Sequence, residues 1–273
     1  MCMLSKTDKL PQVEEKMILD KIIETKKAEV EQLKRQTTVS ALEKSIAQLP
    51  PCRDFRQAIS SDACAIIAEV KCASPSRGRF IADFDPVGIA GIYEQNNAAA
   101  ISVLTDEKYF AGHKNYLTQI RQHTGLPLLR KDFIIDPLQI YEARAIGADA
   151  VLLIVRVLME KLAGFIAVAG NLGLAALVEV HTKAELDLAL AAGAEIIGIN
   201  NRNLDTFVTD IETSSKLRTQ IPEGKVVVAE SGIKARADIE FLMRANIHAF
   251  LIGEALITAP DIGERLKAFK GKS

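Results

Sequence analysis

The chain has 273 residues, 34 Lys and Arg against 35 Asp and Glu for a formal net charge of -1, and 48% apolar residues. That length suits one large domain or two small ones and supplies a substantial core, while the even mixture of charge argues against a nucleic-acid groove or a membrane-surface patch. No apolar run approaches the ~20 residues of a membrane span, and the opening MCMLSKTDKLPQVEEK lacks the apolar core of a secretory signal.

The first 60 residues form an extension of their own character. EEKMILDKIIETKKAEVEQLKRQ reads as one helix, with Ile18, Ile22, Val30 and Leu33 near helical spacing among charges. Its heptads are too few and irregular for a free coiled coil, so it is expected to pack on the domain that follows. Pro50-Pro51 closes the extension, and residues 61–273 carry a different pattern.

From there, short apolar runs alternate with amphipathic stretches. The strands expected are AIIAEV (65–70), AISVL (100–104), PLLRKD (127–132), AVLLIV (150–155), AALVEV (175–180), IIGIN (196–200), VVVAE (226–230) and AFLIG (249–253). Continuous apolar runs are what parallel strands covered on both faces require. A weak internal repeat supports the order: QNNAAAISVL, AIGADAVLLI, AAGAEIIGIN and RANIHAFLIG each close a helix with Gly or Asn and enter a strand. About eight strands with intervening helices predict a (β/α)8 barrel, an α/β fold. An open doubly wound sheet is the alternative, but its Gly-rich fingerprint after the first strand is missing.

In such a barrel the strand C-termini carry the chemistry. Strand 1 supplies Glu69 and Lys71, strand 3 Lys131, strand 5 Glu179, strand 6 Asn200 and Arg202, and strand 7 Glu230 and Ser231. Residues i and i+2 share a face, so Glu69 and Lys71 project together into the mouth while Val70 faces the helices, and Asn200 and Arg202 repeat the arrangement. Any one of these charges could be an ion pair that fixes barrel register. The set as a whole argues for acid–base work, because an inert plug is more cheaply built from apolar residues. Ser74-Pro75-Ser76-Arg77-Gly78, Ser231-Gly232 and Gly253-Glu254 offer hydroxyls and backbone N–H groups. Loops after strands 7 and 8 hold phosphate in many barrels, which makes a phosphate clamp the reading here, with the Glu254 side chain expected to turn away.

The cysteines, Cys2, Cys52, Cys64 and Cys72, form no C-x-x-C pair, and no zinc pattern joins them, which reads as reduced thiols in a cytoplasmic protein. Cys72 follows Lys71, whose ammonium could sensitise it to oxidation; inert packing is the plainer reading.

Taken in order, ILDKIIETKKAEV, IIAEVKCASPSRG, ISVLTDEKYFAGH, LLRKDFIIDPLQIYEARAIGADAVLLIV, LVEVHT, IGINNRNL, VVAESGI and FLIGEAL resemble the indole-3-glycerol phosphate synthase family. EVKCASPS, KDFIID and INNRNL are specific to that family rather than to barrels generally. The resemblance implies conversion of 1-(2-carboxyphenylamino)-1-deoxyribulose 5-phosphate to indole-3-glycerol phosphate, with loss of carbon dioxide and water and no metal or organic cofactor. It implies Lys131 as general acid, Glu179 as general base, Lys71 on the substrate carboxylate, Glu69 holding Lys71, and Asn200 orienting substrate, with Arg202 and Glu230 as supporting charges. How the two lysines divide the proton transfers stays open. Ser74, Ser231, Gly232, Gly253 and Glu254 would surround the phosphate. Phe110, Phe133, Leu104, Leu152, Leu204 and Ile252 would wall the aromatic ring, with plain core packing as the rival reading.

A cytoplasmic monomer acting on a small phosphosugar–anthranilate, without nucleic acid or membrane, is the expectation. A phosphoribosylanthranilate isomerase would bring a Cys to the end of strand 1 and an Asp near strand 6, where this chain has Lys71 and Asn200. A Schiff-base aldolase needs one desolvated lysine, a role Lys131 could fill on position alone. A non-catalytic phosphosugar-binding barrel would have lost some of these charged positions.

Overall fold

The structure, a computed structural model, describes residues 11–271 apart from 76 and 204–207, with side chains from residue 18 onward. Eight parallel strands carry the scaffold: β1 (Ala65–Val70), β2 (Ala100–Leu104), β3 (Leu128–Lys131), β4 (Ala150–Ile154), β5 (Ala175–Val180), β6 (Ile196–Asn200), β7 (Val226–Glu230) and β8 (Ala249–Ile252). Each pairs with the next, and β8 pairs back to β1, Ala65 opposite Ala249, so the sheet closes on itself and has no edge. Helices fill every connection along the chain, giving the (β/α)8 barrel that the strand spacing predicts.

Strand alternation sorts the core into two shells. Ile66, Val70, Ile101 and Val103 point outward into the layer between sheet and helices. Ile67, Leu129, Leu177 and Val228 point inward and fill the barrel with other apolar side chains. Three strands are shorter than the sequence runs suggest. Pro127 and Asp132 flank β3, Val155 opens a short helix (Val155–Leu158), and Gly253 caps the helix Glu254–Ile257.

The segment read as one helix is one, α1 (Pro11–Gln36), and the described part of the N-terminal extension adds two short ones, α2 (Val39–Ile46) and α3 (Phe55–Ser60). Thr38 and Asp54 start the second and third by accepting backbone N–H groups of Ala41 (3.2 Å) and Gln57 (2.8 Å). Phe55 and Ile59 of α3 join the inner core and plug the end of the barrel where the strands begin. Arg53 secures this plug, its backbone N–H donating to Asp149 and its guanidinium to the Leu126 carbonyl. At the other end α1 lies against the mouth, with Ile22 and Val30 buried as its periodicity predicts. Among the described residues no helix is long and apolar enough to cross a membrane.

Candidate active site

The odd-numbered strands supply four inward side chains at each level of the barrel. One level up from Ile67, Leu129, Leu177 and Val228, the same strands present Glu69, Lys131, Glu179 and Glu230. An apolar layer is thus followed directly by a charged one. The carboxylates fit because two neighbours lack side chains. A Cβ on Gly198 would lie 2.2 Å from Glu230 Oε1, and one on Gly253 would lie 2.3 Å from Glu69 Oε1.

Glu69 is the hub. Its Oε1 lies 2.9 Å from Lys71 Nζ, and its Oε2 lies 3.6 Å from Lys131 Nζ. Lys131 Nζ is also 3.9 Å from Glu230 Oε2. Burial opposes the charge on Glu69, but Lys71 and Lys131 outweigh it and hold the carboxyl below its usual range. Burial likewise opposes the Lys131 ammonium, and Glu69, Glu230 and Glu179 together hold it above the usual lysine range. Glu230 goes the other way. Burial, reinforced by Glu179, raises its carboxyl well above the ordinary value despite Lys131. Both its oxygens are buried without a hydrogen-bond partner among the described residues. The layer therefore sets an ammonium beside one carboxyl held toward ionisation and another pushed toward protonation, an arrangement suited to proton donation and removal at one substrate.

Above the layer opens a cavity of about 800 Å³. Every described residue of the sequence-derived set lines it: Glu69, Lys71, Ser74, Leu104, Phe110, Lys131, Phe133, Leu152, Glu179, Asn200, Arg202, Glu230, Ser231, Gly232, Ile252, Gly253 and Glu254. Leu204 lies outside the described residues. Asn200 and Arg202 both reach the cavity, and the Asn200 side-chain oxygen accepts the Arg202 backbone N–H (3.0 Å). Cys72, between Lys71 and the loop, is buried away from it.

The cavity has two chemically distinct ends. At one, Ser231 (φ 64°) and Gly232 (φ 80°) are both left-handed, a conformation costly for serine. Asn201 pins the turn by donating to the Ser231 carbonyl (3.0 Å) while accepting from the Ser214 hydroxyl (2.7 Å). Beside it Gly253 caps the helix Glu254–Ile257 with no side-chain cap. The Glu254 carboxylate, expected to turn away, instead reaches across the rim to Arg77 Nη1 (2.9 Å). Away from it Phe110 and Phe133, ring centroids 6.1 Å apart, give the lining an apolar part together with Leu104 and Leu152; Ile252, next to Gly253, also lines the cavity and packs into the outer shell.

Sequence reasoning missed several contributors. Ile18, Leu19 and Ile22 of α1 line the cavity, so the extension helps to build the site. Lys26 of α1 is only 1% exposed, its Nζ 2.8 Å from each of Glu29, Asp106 and Asp132. The signal was available, since Lys26 lies on the stripe of Ile22, Val30 and Leu33, but a lysine there reads as a solvated interruption. Lys71 also lies 5.8 Å from the centre of the Phe80 ring, and Arg77, Lys234 and Arg265 join the lining. His181, one residue beyond β5, comes within 3.4 Å of Glu179.

Fold and mouth define a (β/α)8-barrel enzyme equipped for acid–base chemistry. More particularly, the chain belongs to the indole-3-glycerol phosphate synthase family, whose model matches residues 19–269. The relative from Chloroherpeton thalassium is 51% identical over 256 residues, covering 92% of this chain and 97% of that protein. The one from Desulforamulus reducens is 48% identical, covering 92% and 96%. Both carry the name indole-3-glycerol phosphate synthase. A thiamine phosphate pyrophosphorylase from Pyrococcus furiosus superimposes with a TM-score of 0.59 at 17% identity, over 80% of this chain and 96% of that one, a likeness of fold alone.

Proposed function

We propose that this chain closes the indole ring of 1-(2-carboxyphenylamino)-1-deoxyribulose 5-phosphate, giving indole-3-glycerol phosphate in tryptophan biosynthesis. The observation that carries the mechanism is the buried Lys131 ammonium, set among Glu69, Glu230 and Glu179 at the base of the cavity. The ring carbon bearing the carboxylate attacks the ketone, whose oxygen gains negative charge. Lys131 stabilises that charge and donates a proton to it. Carbon dioxide then leaves from the attacked ring carbon and restores aromaticity. Glu179 removes a proton from the carbon beside the nitrogen as the new hydroxyl, protonated in turn, departs as water. Two protons are delivered and one is removed, so each turnover takes one proton from solvent.

Lys71, ion-paired with Glu69, holds the substrate carboxylate until it departs and then assists the hydroxyl. Asn200 orients the hydroxyl and carboxylate, and Arg202 and Glu230 set the surrounding charge. The phosphate sits on the Ser231-Gly232 turn and the start of the helix Glu254–Ile257, with Ser74 beside it. Phe110, Phe133, Leu104, Leu152 and Ile252 press the ring toward the ketone, which supports the orientation the attack needs. The near-neutral net charge supports work on this small molecule rather than on nucleic acid or a membrane, and the chain is read as a cytoplasmic monomer with reduced thiols.

The test is direct, because the chain contains no tryptophan. The protein is mixed with the carboxyphenylamino-deoxyribulose phosphate and indole fluorescence is followed. A rise that scales with protein and survives EDTA is expected. Folded protein that gives no rise would overturn the proposal.

A further inference from the structure

His181 and Glu179 are two residues apart at the end of β5, so both side chains face the same side of the sheet. The imidazole is 5% exposed. Two contacts to one oxygen fix its orientation. Glu185 Oε2 accepts the His181 backbone N–H at 2.6 Å and lies 3.1 Å from Nδ1. Glu185 is itself held in the first turn of the helix Lys183–Ala191, where Thr182 accepts its backbone N–H (3.2 Å). With Nδ1 committed to Glu185, Nε2 is aimed the other way, 3.4 Å from Glu179 Oε1. That nitrogen is buried and has no hydrogen-bond partner among the described residues.

Helix capping accounts for the backbone contact and for Nδ1, and leaves Nε2 unexplained. A bare imidazole nitrogen facing a carboxylate is repulsive. The approach becomes favourable once a proton lies between them, as when His181 is an imidazolium bridging two carboxylates. Three charged groups act on the ring: Glu179 on its own strand, Glu185 on the following helix, and Arg156 on the helix after β4. Burial and Arg156 oppose charging, and the two glutamates outweigh them, so the imidazole stays protonated to higher pH than an ordinary histidine. The Glu185 carboxyl is buried too, but His181 holds it below the usual range.

We propose that His181 is a positioning residue for Glu179: oriented by Glu185, it keeps the Glu179 carboxylate aimed for proton removal. This rests on Glu179 being the base. His181 touches no substrate atom in this role. It sets the direction in which the Glu179 carboxylate faces the cavity.

The experiment measures kcat, KM and melting temperature across pH for Glu179→Gln, His181→Ala, His181→Gln and Glu185→Gln. Glu179→Gln is expected to lose nearly all turnover. His181→Ala is expected to lower kcat about tenfold at neutral pH, with KM within about twofold, the scale of one lost charged hydrogen bond. Without the imidazolium the Glu179 carboxylate loses the donor that faces it, so the acid limb of kcat is expected to move to higher pH. Glu185→Gln moves it the same way by less. His181→Gln, which can still offer an N–H, recovers part of kcat but not the wild-type acid limb. An inactive Glu179→Gln beside a His181→Ala of unchanged kcat and acid limb would overturn the inference alone. So would a His181→Ala whose loss matches its unfolded fraction. If that variant does not fold, His181→Gln and Glu185→Gln decide by the same acid limb. A fully active Glu179→Gln would instead remove the base assignment on which the inference rests.

Discussion

Two buried charge clusters lie side by side in this barrel, and they are built differently. Behind the mouth, Lys26 Nζ is 2.8 Å from each of three carboxylates. Arg130 joins the same group, 3.1 Å from Asp132 and 2.9 Å from Glu142. In the mouth, Lys131 stands 3.6 Å and 3.9 Å from its nearest carboxylates, and Glu230 has no hydrogen-bond partner among the described residues. The sealed cluster drives its titratable groups toward full charge: burial opposes, yet Asp132 and Glu142 are held below the usual carboxyl range. The open cluster contains Glu230, driven the other way. Burial and opposite charge are common to both. What separates them is closeness: Asp106, Asp132 and Glu142 each lie within 2.9 Å of a cation, although Asp106 Oδ2 makes no well-aligned hydrogen bond, whereas Lys131 and Glu230 keep distance in reserve for a substrate.

The largest effect should come from breaking the open cluster. Lys131→Ala or Glu179→Gln is expected to cost about 10²–10⁴-fold or more in turnover while melting stays near wild type. Near-normal turnover in either folded variant would remove that residue from its role. Breaking the sealed cluster should do the reverse. Lys26→Met leaves Asp106 buried without its cation and Asp132 with Arg130 alone, and denaturant unfolding should show a loss of about 3–5 kcal/mol. Activity per folded molecule should fall far less than in Lys131→Ala, and a loss of equal size would dissolve the distinction.

Acid titration sharpens the contrast. Glu69, Asp132 and Glu142 all titrate below their ordinary values in the folded chain. Their stabilisation is therefore complete above the unfolded carboxyl range, about pH 4–4.5, and is lost as pH falls through the lower folded values. In Lys26→Met the acid unfolding should begin at higher pH, since Asp132 loses one of its cations. Glu230 has the opposite sign, so Glu230→Gln should stabilise the fold by about 1–3 kcal/mol while turnover drops. A destabilised variant would show that Glu230 is structurally paired after all. The smallest effect belongs to the rim. Arg77→Ala breaks a solvent-screened pair with Glu254 and should change stability by no more than about 1 kcal/mol. It should raise KM by leaving Glu254 uncompensated beside the phosphate, and adding Glu254→Gln should bring KM back.

The open cluster was legible in the sequence and the sealed one was not, for a physical reason. Glu69, Lys131, Glu179 and Glu230 each interrupt or end a continuous apolar run, and strand alternation assigns their side of the sheet without further knowledge. Lys26 interrupts a helical stripe, where a long charged side chain ordinarily reaches solvent, and its partners Asp106 and Asp132 are far away along the chain. The helix Phe55–Ser60 escaped because six residues carry too little periodicity, and its burial depends on a barrel formed later in the chain. His181 belongs to the quoted segment LVEVHT, yet its partner Glu185 is fixed by a helix start that strand periodicity does not report.

The plug made by Phe55 and Ile59 has a consequence for traffic. With that end of the barrel filled, and Ile67, Leu129, Leu177 and Val228 packed above it, the reaction vessel has a floor. Carbon dioxide, water and the indole product then leave through the doorway that admitted the substrate. Any movement that shuts this doorway to shield the chemistry also detains what the chemistry has made. Protection and release are set against each other by a six-residue helix on the far side of the molecule.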